Sequence, residues 1–317
     1  MRRKTELLIG LMALMASFAM ANSIQTKGEP IALTAPGEYF MAPKWSPSGE
    51  QVAVAGPSYT GLYLVDFPTG KTSRISDAYS AGYGVAWSHD GTQIAAKISH
   101  FDKMRRSHTL VTFSVADGSM ETVSAPRYRM SGTPLWTKDD AHIYLTFAEK
   151  FESFSLENSD LELNIPLVHY INDGRFVNRQ REASATRSTE DILFSDQDHI
   201  YSYAISPDGS LIVYSTAGQH LWLAQVNGDD RVSLGRGSEP AWSPDGHWIT
   251  FMLTFDDGHS ITASDIFVTN LDGTSRINIT LTPERVEMNP QWSPDGEWIV
   301  YDTDRLGQLF VQQVEGR

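Results

Sequence analysis

Trp292-Ser-Pro-Asp-Gly296, followed by the apolar run Trp298–Tyr301, decides the fold, because variants of this stretch occur six times along the chain. The copies begin at Trp45, Trp87, Trp136, Ile205, Trp242 and Trp292. Each precedes a short run rich in β-branched and aromatic residues, which is typical of a strand. Repetition at this period predicts an array of similar supersecondary units.

We call this repeated sequence the Trp turn. Its residues are those that favour a tight turn. Proline presets φ at the first corner, aspartate bonds its own backbone, and glycine adopts the positive φ that follows. The preceding tryptophan is large and flat, which suits the space between neighbouring sheets. Stacking on a ligand is the alternative, but repetition at one structural position favours packing.

A second set of turns, each containing glycine, alternates with the first. They lie at Thr69-Gly70, Asp117-Gly118, Asp173-Gly174, Asn227-Gly228, Asp272-Gly273 and Glu315-Gly316. A β-prone run precedes each turn and another follows most of them, so one unit contains four antiparallel strands, as in a propeller blade. We therefore expect an all-β, six-bladed β-propeller. Its blade cores start near residues 45, 87, 136, 205, 242 and 292.

The two ends of the chain complement one another. The sixth unit reaches Gly316-Arg317 with no room for a fourth strand, and Ile31–Thr34 resembles the segment Ile279–Thr282 that precedes the last Trp turn. We expect residues near 29–35 to supply the outer strand of the last blade. This pairing would close the ring and remove exposed strand edges.

The N-terminal residues have the features of an export signal. Arg2, Arg3 and Lys4 precede the apolar run Leu7–Phe18, and Ala19-Met-Ala21 has the small-residue pattern of a cleavage site. We predict a signal peptide over residues 1–21 and a single propeller over residues 22–317. The protein is then periplasmic or secreted, with no transmembrane anchor, since no later run is long enough to span a bilayer.

Composition excludes several classes of function. The formal net charge is −14, and removal of residues 1–21 takes away three basic residues and one acidic residue, giving −16. Nucleic acid is therefore not an expected partner, because its binding depends on cationic contacts with phosphates. The absence of cysteine excludes disulfides, thiolate metal sites and a cysteine nucleophile. We expect a monomer without a cofactor.

The Trp turns, together with the segment Tyr301–Val311, resemble the C-terminal propeller of the TolB family. The resemblance covers nearly all of residues 29–317. TolB is a periplasmic protein whose propeller binds the lipoprotein Pal, so the resemblance implies a periplasmic protein with a protein partner. TolB carries an α/β domain before its propeller, and we expect none here, because only about 20 residues separate the predicted signal peptide from Trp45. The same repeat occurs in oligogalacturonate lyases and in the propellers of prolyl-oligopeptidase-like peptidases, so it does not select an activity.

Motifs for catalysis are weak. Gly56–Gly61 misses the Gly-x-Ser-x-Gly spacing of a hydrolase by one residue, and there is no P-loop and no His-Glu-x-x-His. His100, Asp102 and His108 could form an acid–base or metal site, but a solvated loop is the usual outcome. The acidic pairs at 196/198 and 256/257 are more typical of turns than of calcium loops. We therefore predict neither catalytic nor metal-binding residues.

The long insertions predict a binding face. In an antiparallel blade the second-to-third and fourth-to-first connections share one face, and residues 99–108, 148–166, 175–203 and 254–264 all fall there. Loops on a rigid scaffold commonly carry binding residues. Arginine and aromatic residues are frequent interface anchors. The candidate partner-binding residues are Arg105, Arg106, His108, Phe151 and Phe154.

The sequence thus favours a non-enzymatic scaffold that binds a protein or peptide of the cell envelope. One alternative is a lyase acting on an acidic polysaccharide, although such a substrate needs a basic channel and the net charge argues against one. The other is a module that binds a small ligand in the central channel.

Overall fold

A computed structural model describes residues 23–103, 105–128, 130, 132–147, 150–156, 167–171, 175–180, 189–195, 200–226, 231–282, 285–304 and 307–316. Within the strands at 146–152 and 167–195 the backbone alone is described. The predicted signal peptide, residues 1–21, lies outside these residues, as do the predicted turns at Asp173-Gly174 and Asn227-Gly228.

Apart from two short 3-10 turns, the regular elements of the described residues are all β-strands, beginning with β1 (Ile24–Thr26) and β2 (Ile31–Ala32). The first sheet contains β3 (Met41–Trp45), β4 (Gln51–Ala55), β5 (Thr60–Asp66) and β6 (Thr72–Tyr79). The second contains β7 (Ala86–Trp87), β8 (Gln93–Asp102), β9 (Arg105–Ser114) and β10 (Met120–Thr122). The third contains β11 (Leu135–Trp136), β12 (His142–Phe147) and β13 (Lys150–Ser155).

Four further sheets follow in chain order. The fourth contains β14 (Leu167–Ile171), β15 (Arg175–Gln180) and β16 (Thr189–Ser195). The fifth contains β17 (Ile200–Ile205), β18 (Leu211–Thr216), β19 (His220–Gln225) and β20 (Arg231–Arg236). The sixth contains β21 (Ser238–Trp242), β22 (Trp248–Asp256), β23 (Ile261–Asn270) and β24 (Arg276–Asn278). The seventh contains β25 (Glu287–Trp292), β26 (Trp298–Thr303) and β27 (Leu309–Gly316). Two 3-10 turns, Pro57–Tyr59 and Ala217–Gln219, connect β4 to β5 and β18 to β19.

The described residues thus form seven sheets, whereas the sequence predicted six blades. The extra sheet arises because the predicted third unit contains strands of two sheets. Its predicted third strand, residues 167–170, belongs to the fourth sheet, and the third sheet instead uses Lys150–Ser155. No Trp turn occurs in residues 167–195, so the repeat gave no sign of a separate sheet there.

The predicted insertions at 99–108 and 254–264 are mainly strand rather than loop. Strands β8 and β9 pair continuously from Gln93 with Ser114 to Asp102 with Arg105. Strands β22 and β23 similarly pair out to Asp256 with Ile261. These segments are therefore long hairpins that project from their sheets, which holds their side chains on a regular backbone.

The Trp turns have the predicted local geometry. Gly49, Gly91, Gly209, Gly246 and Gly296 all have φ between 71° and 75°, which favours glycine. Three indole groups donate to a carbonyl in the first strand of the preceding sheet, and the indole of Trp45 donates to one in the first strand of the last sheet. These bonds run from Trp45 to Gln291 (3.3 Å), Trp87 to Lys44 (3.1 Å), Trp136 to Ala86 (2.9 Å) and Trp242 to Ala204 (3.1 Å). The tryptophans thus serve packing between sheets rather than ligand stacking.

The N-terminal strands pair with the last strand. β1 pairs antiparallel with β27 through Ile24 opposite Gly316, and β2 pairs with it through Ile31 opposite Val311. The Leu309 N–H donates to Oγ1 of Thr34 at 3.0 Å. This is the position at which the sequence predicts an N-terminal outer strand. The first and last sheets also share one apolar core, which includes Val52 and Val300.

Candidate functional site

A cavity of about 570 Å³ lies where the first strands of several sheets meet. The first strands β21, β25 and β3 contact one another in that order, as do β7 and β11. The cavity wall contains residues of β3, β21 and β25, together with residues of β8, β9 and the segments that precede β7 and β11. We call it the channel cavity.

A repeated irregularity of the first strands directs side chains toward this cavity. Ala42, Glu239 and Asn289 each lie three residues before a tryptophan of a Trp turn, and each has a positive φ, of 53°, 48° and 53°. The strand register shifts at each of these positions, as in a β-bulge. Non-glycine residues with positive φ are strained and concentrate at functional sites.

Sequence reasoning missed this feature, although a signal for it is present. A proline follows each of the three bulged residues, giving the pattern x-Pro-x-Trp at residues 42–45, 239–242 and 289–292. Proline disrupts strand pairing and is found in sheets at edges and bulges. The pattern therefore indicates the same irregularity in each of these strands.

Two carboxylates lie at the bulged strands. Asp302 is buried, and its Oδ2 accepts a hydrogen bond of 2.7 Å from the Ala42 N–H, while Nδ2 of Asn289 lies 3.0 Å from both oxygens. Burial raises the pKa of Asp302 to about 7 despite these donors. Burial also raises the pKa of Glu239, and the nearby charge of Lys44 opposes that shift.

Two lysines are present in the cavity wall. Lys97 is only 5% exposed, its ammonium donates to the carbonyl oxygen of Gly132, and it lies 5.8 Å from the ring centroid of Tyr83. Burial, with a contribution from Arg106, lowers the pKa of Lys97 to about 8. Burial likewise lowers the pKa of Lys44. Among the described residues, neither ammonium has a carboxylate within ion-pair distance.

Arg106 is fixed at the mouth of the cavity. Its Nη2 donates to Oγ of Ser80 at 2.6 Å and its Nε donates to Oγ of Ser99 at 3.0 Å. The guanidinium carbon lies 5.6 Å and 5.9 Å from the ring centroids of Tyr79 and Phe101. These contacts hold the arginine in one position, although its side chain is exposed.

His108 lies beside this arginine. Its Nδ1 is 3.1 Å from Oγ of Ser99, and it contributes to the cavity wall. Burial, followed by the positive charges of Arg106 and Lys97, lowers the pKa of His108. The imidazole is therefore favoured in its neutral form at neutral pH.

Of the four candidate residues whose side chains are described, Arg106 and His108 contribute to the cavity wall, whereas Arg105 and Phe154 do not. Arg105 is exposed and opposes Asp102 near the end of the β8–β9 hairpin. Phe154 is partly buried against a core cluster and lies 5.7 Å below the guanidinium of Arg127. Phe151 is described by its backbone alone, opposite Thr146.

Three charged residues of the site were absent from the sequence-based set, namely Lys44, Lys97 and Glu239. They lie on strands, whereas the sequence-based candidates all come from the long connections. The negative net charge of the chain argued against a basic channel, whereas cations outnumber carboxylates among the described residues of the cavity wall.

Within the part of the chain that the structure describes, no group of three His, Cys, Asp or Glu side chains is placed to hold a metal ion. In the same residues, no helix has the length and apolar character needed to cross a membrane.

Comparison with solved structures identifies the fold. A structure from Agrobacterium tumefaciens with a provisional TolB assignment superposes with a TM-score of 0.53 at 17% identity, covering 88% of this chain and 91% of that one. The Cps50 (Swd1) β-propeller domain of Myceliophteria thermophila superposes with a TM-score of 0.61 at 11% identity, covering 92% and 100%. No protein-family model and no curated protein sequence matches the chain. The protein therefore has a TolB-like β-propeller fold.

Proposed function

We propose that this protein is an exported, non-enzymatic propeller that binds a protein or peptide of the cell envelope at the mouth of its channel cavity. The predicted signal peptide at residues 1–21 and the TolB-like fold support a periplasmic or secreted location. We also propose that the seven sheets are blades of one ring, closed where the N-terminal strands join β27. The shared core of the first and last sheets supports closure.

One observation carries the binding proposal, namely an exposed cluster of aromatic residues around a fixed arginine. Tyr79, Tyr83 and Phe101 are 43%, 52% and 60% exposed, and Arg106 lies against Tyr79 and Phe101. We call these four residues the mouth patch. Tyrosine, phenylalanine and arginine are enriched in protein interfaces, and tyrosine and arginine dominate their energetic hot spots.

The mouth patch is already ordered before a partner binds. Tyr79 and Phe101 meet edge to face at 5.2 Å, and Tyr83 meets Tyr59 in the same way at 4.9 Å. Side chains that are held in place lose less conformational entropy on association. These exposed aromatic side chains are therefore better suited to binding a partner than to stabilising the fold.

The test is capture of a partner from an envelope extract, followed by a titration with the partner identified by mass spectrometry. The double variant Tyr79→Ala/Phe101→Ala should weaken binding by about tenfold or more, as expected for interface anchors. The matched control is Tyr201→Ala/Phe255→Ala, which removes two exposed aromatics from other sheets. Equal loss in both variants would contradict the proposal.

The lyase remains a second candidate because the cavity wall is basic. Lys97, Arg106 and His108 could bind an acidic sugar, and His108 favours the neutral form that a general base requires. Incubation with polygalacturonate and a divalent cation, followed by absorbance of unsaturated products, tests this activity. Turnover that disappears in His108→Ala would replace the scaffold proposal.

A further inference from the structure

We infer that the channel cavity is a binding site for a small organic dicarboxylate, with Lys44 as the cation on one side and Lys97 with Arg106 on the other. This inference does not depend on the proposed protein partner. It rests on the charges, unused hydrogen-bond donors and shape of the cavity.

The cavity has an excess of positive charge. Among the described residues, its wall contains Lys44, Lys97 and Arg106 but a single carboxylate, Glu239. Asp302 lies behind the wall, where Ala42 and Asn289 donate to its oxygens. The lining groups alone therefore leave about two positive charges unbalanced in their ionised forms, so a ligand with two negative charges would neutralise them.

The cationic groups also retain free donors. A lysine ammonium has three N–H donors, and Lys97 has one described hydrogen bond, to Gly132. Arg106 has five donors and uses two of them on Ser80 and Ser99. A buried ammonium without a carboxylate partner is costly unless another anion compensates it. Lys97 is thus the group whose burial a bound carboxylate would explain.

The positions of the cations favour two separate carboxylates over one compact anion. Lys44 lies on the first sheet with Glu239 as its charged neighbour, whereas Lys97 and Arg106 lie together on the second sheet. Pro43, Val85 and Met130 add apolar surface to the wall. A short methylene chain between two carboxylates matches this arrangement of polar ends and apolar wall.

The volume is consistent with such a ligand. Small-molecule sites commonly enclose about 300–1,000 Å³, and the channel cavity measures about 570 Å³. A dicarboxylate of four to six carbons fits this space with room for water. The charge-assisted hydrogen bonds from lysine and arginine to carboxylate oxygens supply the main attraction.

The experiment measures binding of succinate, glutarate and adipate by isothermal titration at pH 7 and constant ionic strength. Acetate and inorganic phosphate serve as the compact anions. We expect at least one dicarboxylate to bind about tenfold more tightly than acetate or phosphate, and to raise the thermal midpoint of the protein by mass action. Lys44→Met and Lys97→Met should each weaken that binding about tenfold or more.

Lys71→Met is the matched control, because Lys71 is an exposed lysine outside the cavity. It should leave dicarboxylate binding unchanged. Circular dichroism establishes that each variant is folded, and if Lys97→Met is not, Lys44→Met decides the question alone. Failure of all three dicarboxylates to bind, equal binding of acetate or phosphate, or unchanged binding by folded Lys44→Met would each overturn the inference. Capture of a protein partner through the mouth patch would be unaffected by these outcomes.

Discussion

Two residues that depart from the Trp turn compensate for each other. His89 replaces the proline of the second turn, and Asp140 replaces the glycine of the third. The Asp140 carboxylate accepts from the backbone N–H groups of His89 (2.8 Å) and Asp90 (2.9 Å), and lies 2.8 Å from Nδ1 of His89. Proline at position 89 would have no N–H to donate. Asp140 has φ of 56°, a conformation that aspartate adopts more readily than most residues.

A double-mutant cycle tests this compensation. Asp140→Gly removes the backbone strain at this position but also removes the three contacts with His89 and Asp90. It should therefore lower the free energy of unfolding by about 1–2 kcal/mol. The double variant His89→Pro/Asp140→Gly restores the common residue at both positions and should lose less stability than the sum of the single variants. Chemical denaturation measures each free energy of unfolding. Additive effects would show that the two residues are not coupled.

A buried glutamate predicts how stability depends on pH. Glu287 has no exposed surface, accepts a hydrogen bond from Thr280 at 3.3 Å and another from Thr282, and burial raises its pKa to about 8. Between the unfolded pKa, near 4.5, and about 8, the folded state holds a proton that the unfolded state has lost. Folding is therefore favoured at the acidic end, and stability should fall as pH rises through this window.

Glu287→Gln should flatten this dependence, since an amide does not titrate. Denaturant unfolding from pH 5 to pH 8 measures the slope for both proteins. Asp302 is also buried with a raised pKa and contributes in the same direction, so part of the slope should remain. An exposed acid provides the control, and Glu297→Gln should leave the slope unchanged. An unaltered slope in Glu287→Gln would contradict the prediction.

At the scale of elements, the sequence predicted strands wherever a Trp turn preceded them. It predicted residues 167–170 as a strand but assigned them to the third blade, because β14, β15 and β16 have no Trp turn that would mark a separate sheet. It also treated long hairpins as loops, since polar residues such as Arg105 and Arg106 interrupt the apolar pattern of β9. Lys44 and Glu239 lie on bulged first strands and Lys97 lies within β8, so the lengths of the connections could not indicate them.

The N-terminal strands should be necessary for the stability of the last sheet. Ile24 and Leu33 are buried, and residues 24–34 make backbone hydrogen bonds with β27. Deletion of residues 23–36 would expose that strand edge and the apolar surface beneath it. We expect a lower thermal unfolding midpoint. Ile31→Ala, at a side chain 56% exposed, should change it little. An unchanged midpoint after the deletion would refute the role of these strands.

At the scale of the whole molecule, net charge and site charge are set by different residues. The chain carries a formal charge of −14, yet the cavity wall contains more cations than carboxylates. The net charge counts every ionisable residue of the chain, whereas a few residues on β3, β8 and β9 determine the electrostatic potential inside the channel cavity. Composition therefore predicts the net charge of the protein but not the charge of the cavity wall.

The predicted cleavage site of the signal peptide lies immediately before β1, the first described strand. Cleavage after Ala21 would leave only Asn22 and Ser23 before β1, so the first strand would remain intact and free to pair with β27. We expect the exported protein to begin at Asn22, as measured by intact mass. Ala19→Arg/Ala21→Arg should block cleavage because signal peptidase requires small residues at these positions. The control Ser17→Thr lies outside them and should be processed normally. A mature protein that begins beyond Thr26 would lack β1 and would contradict both the cleavage site and the role of that strand.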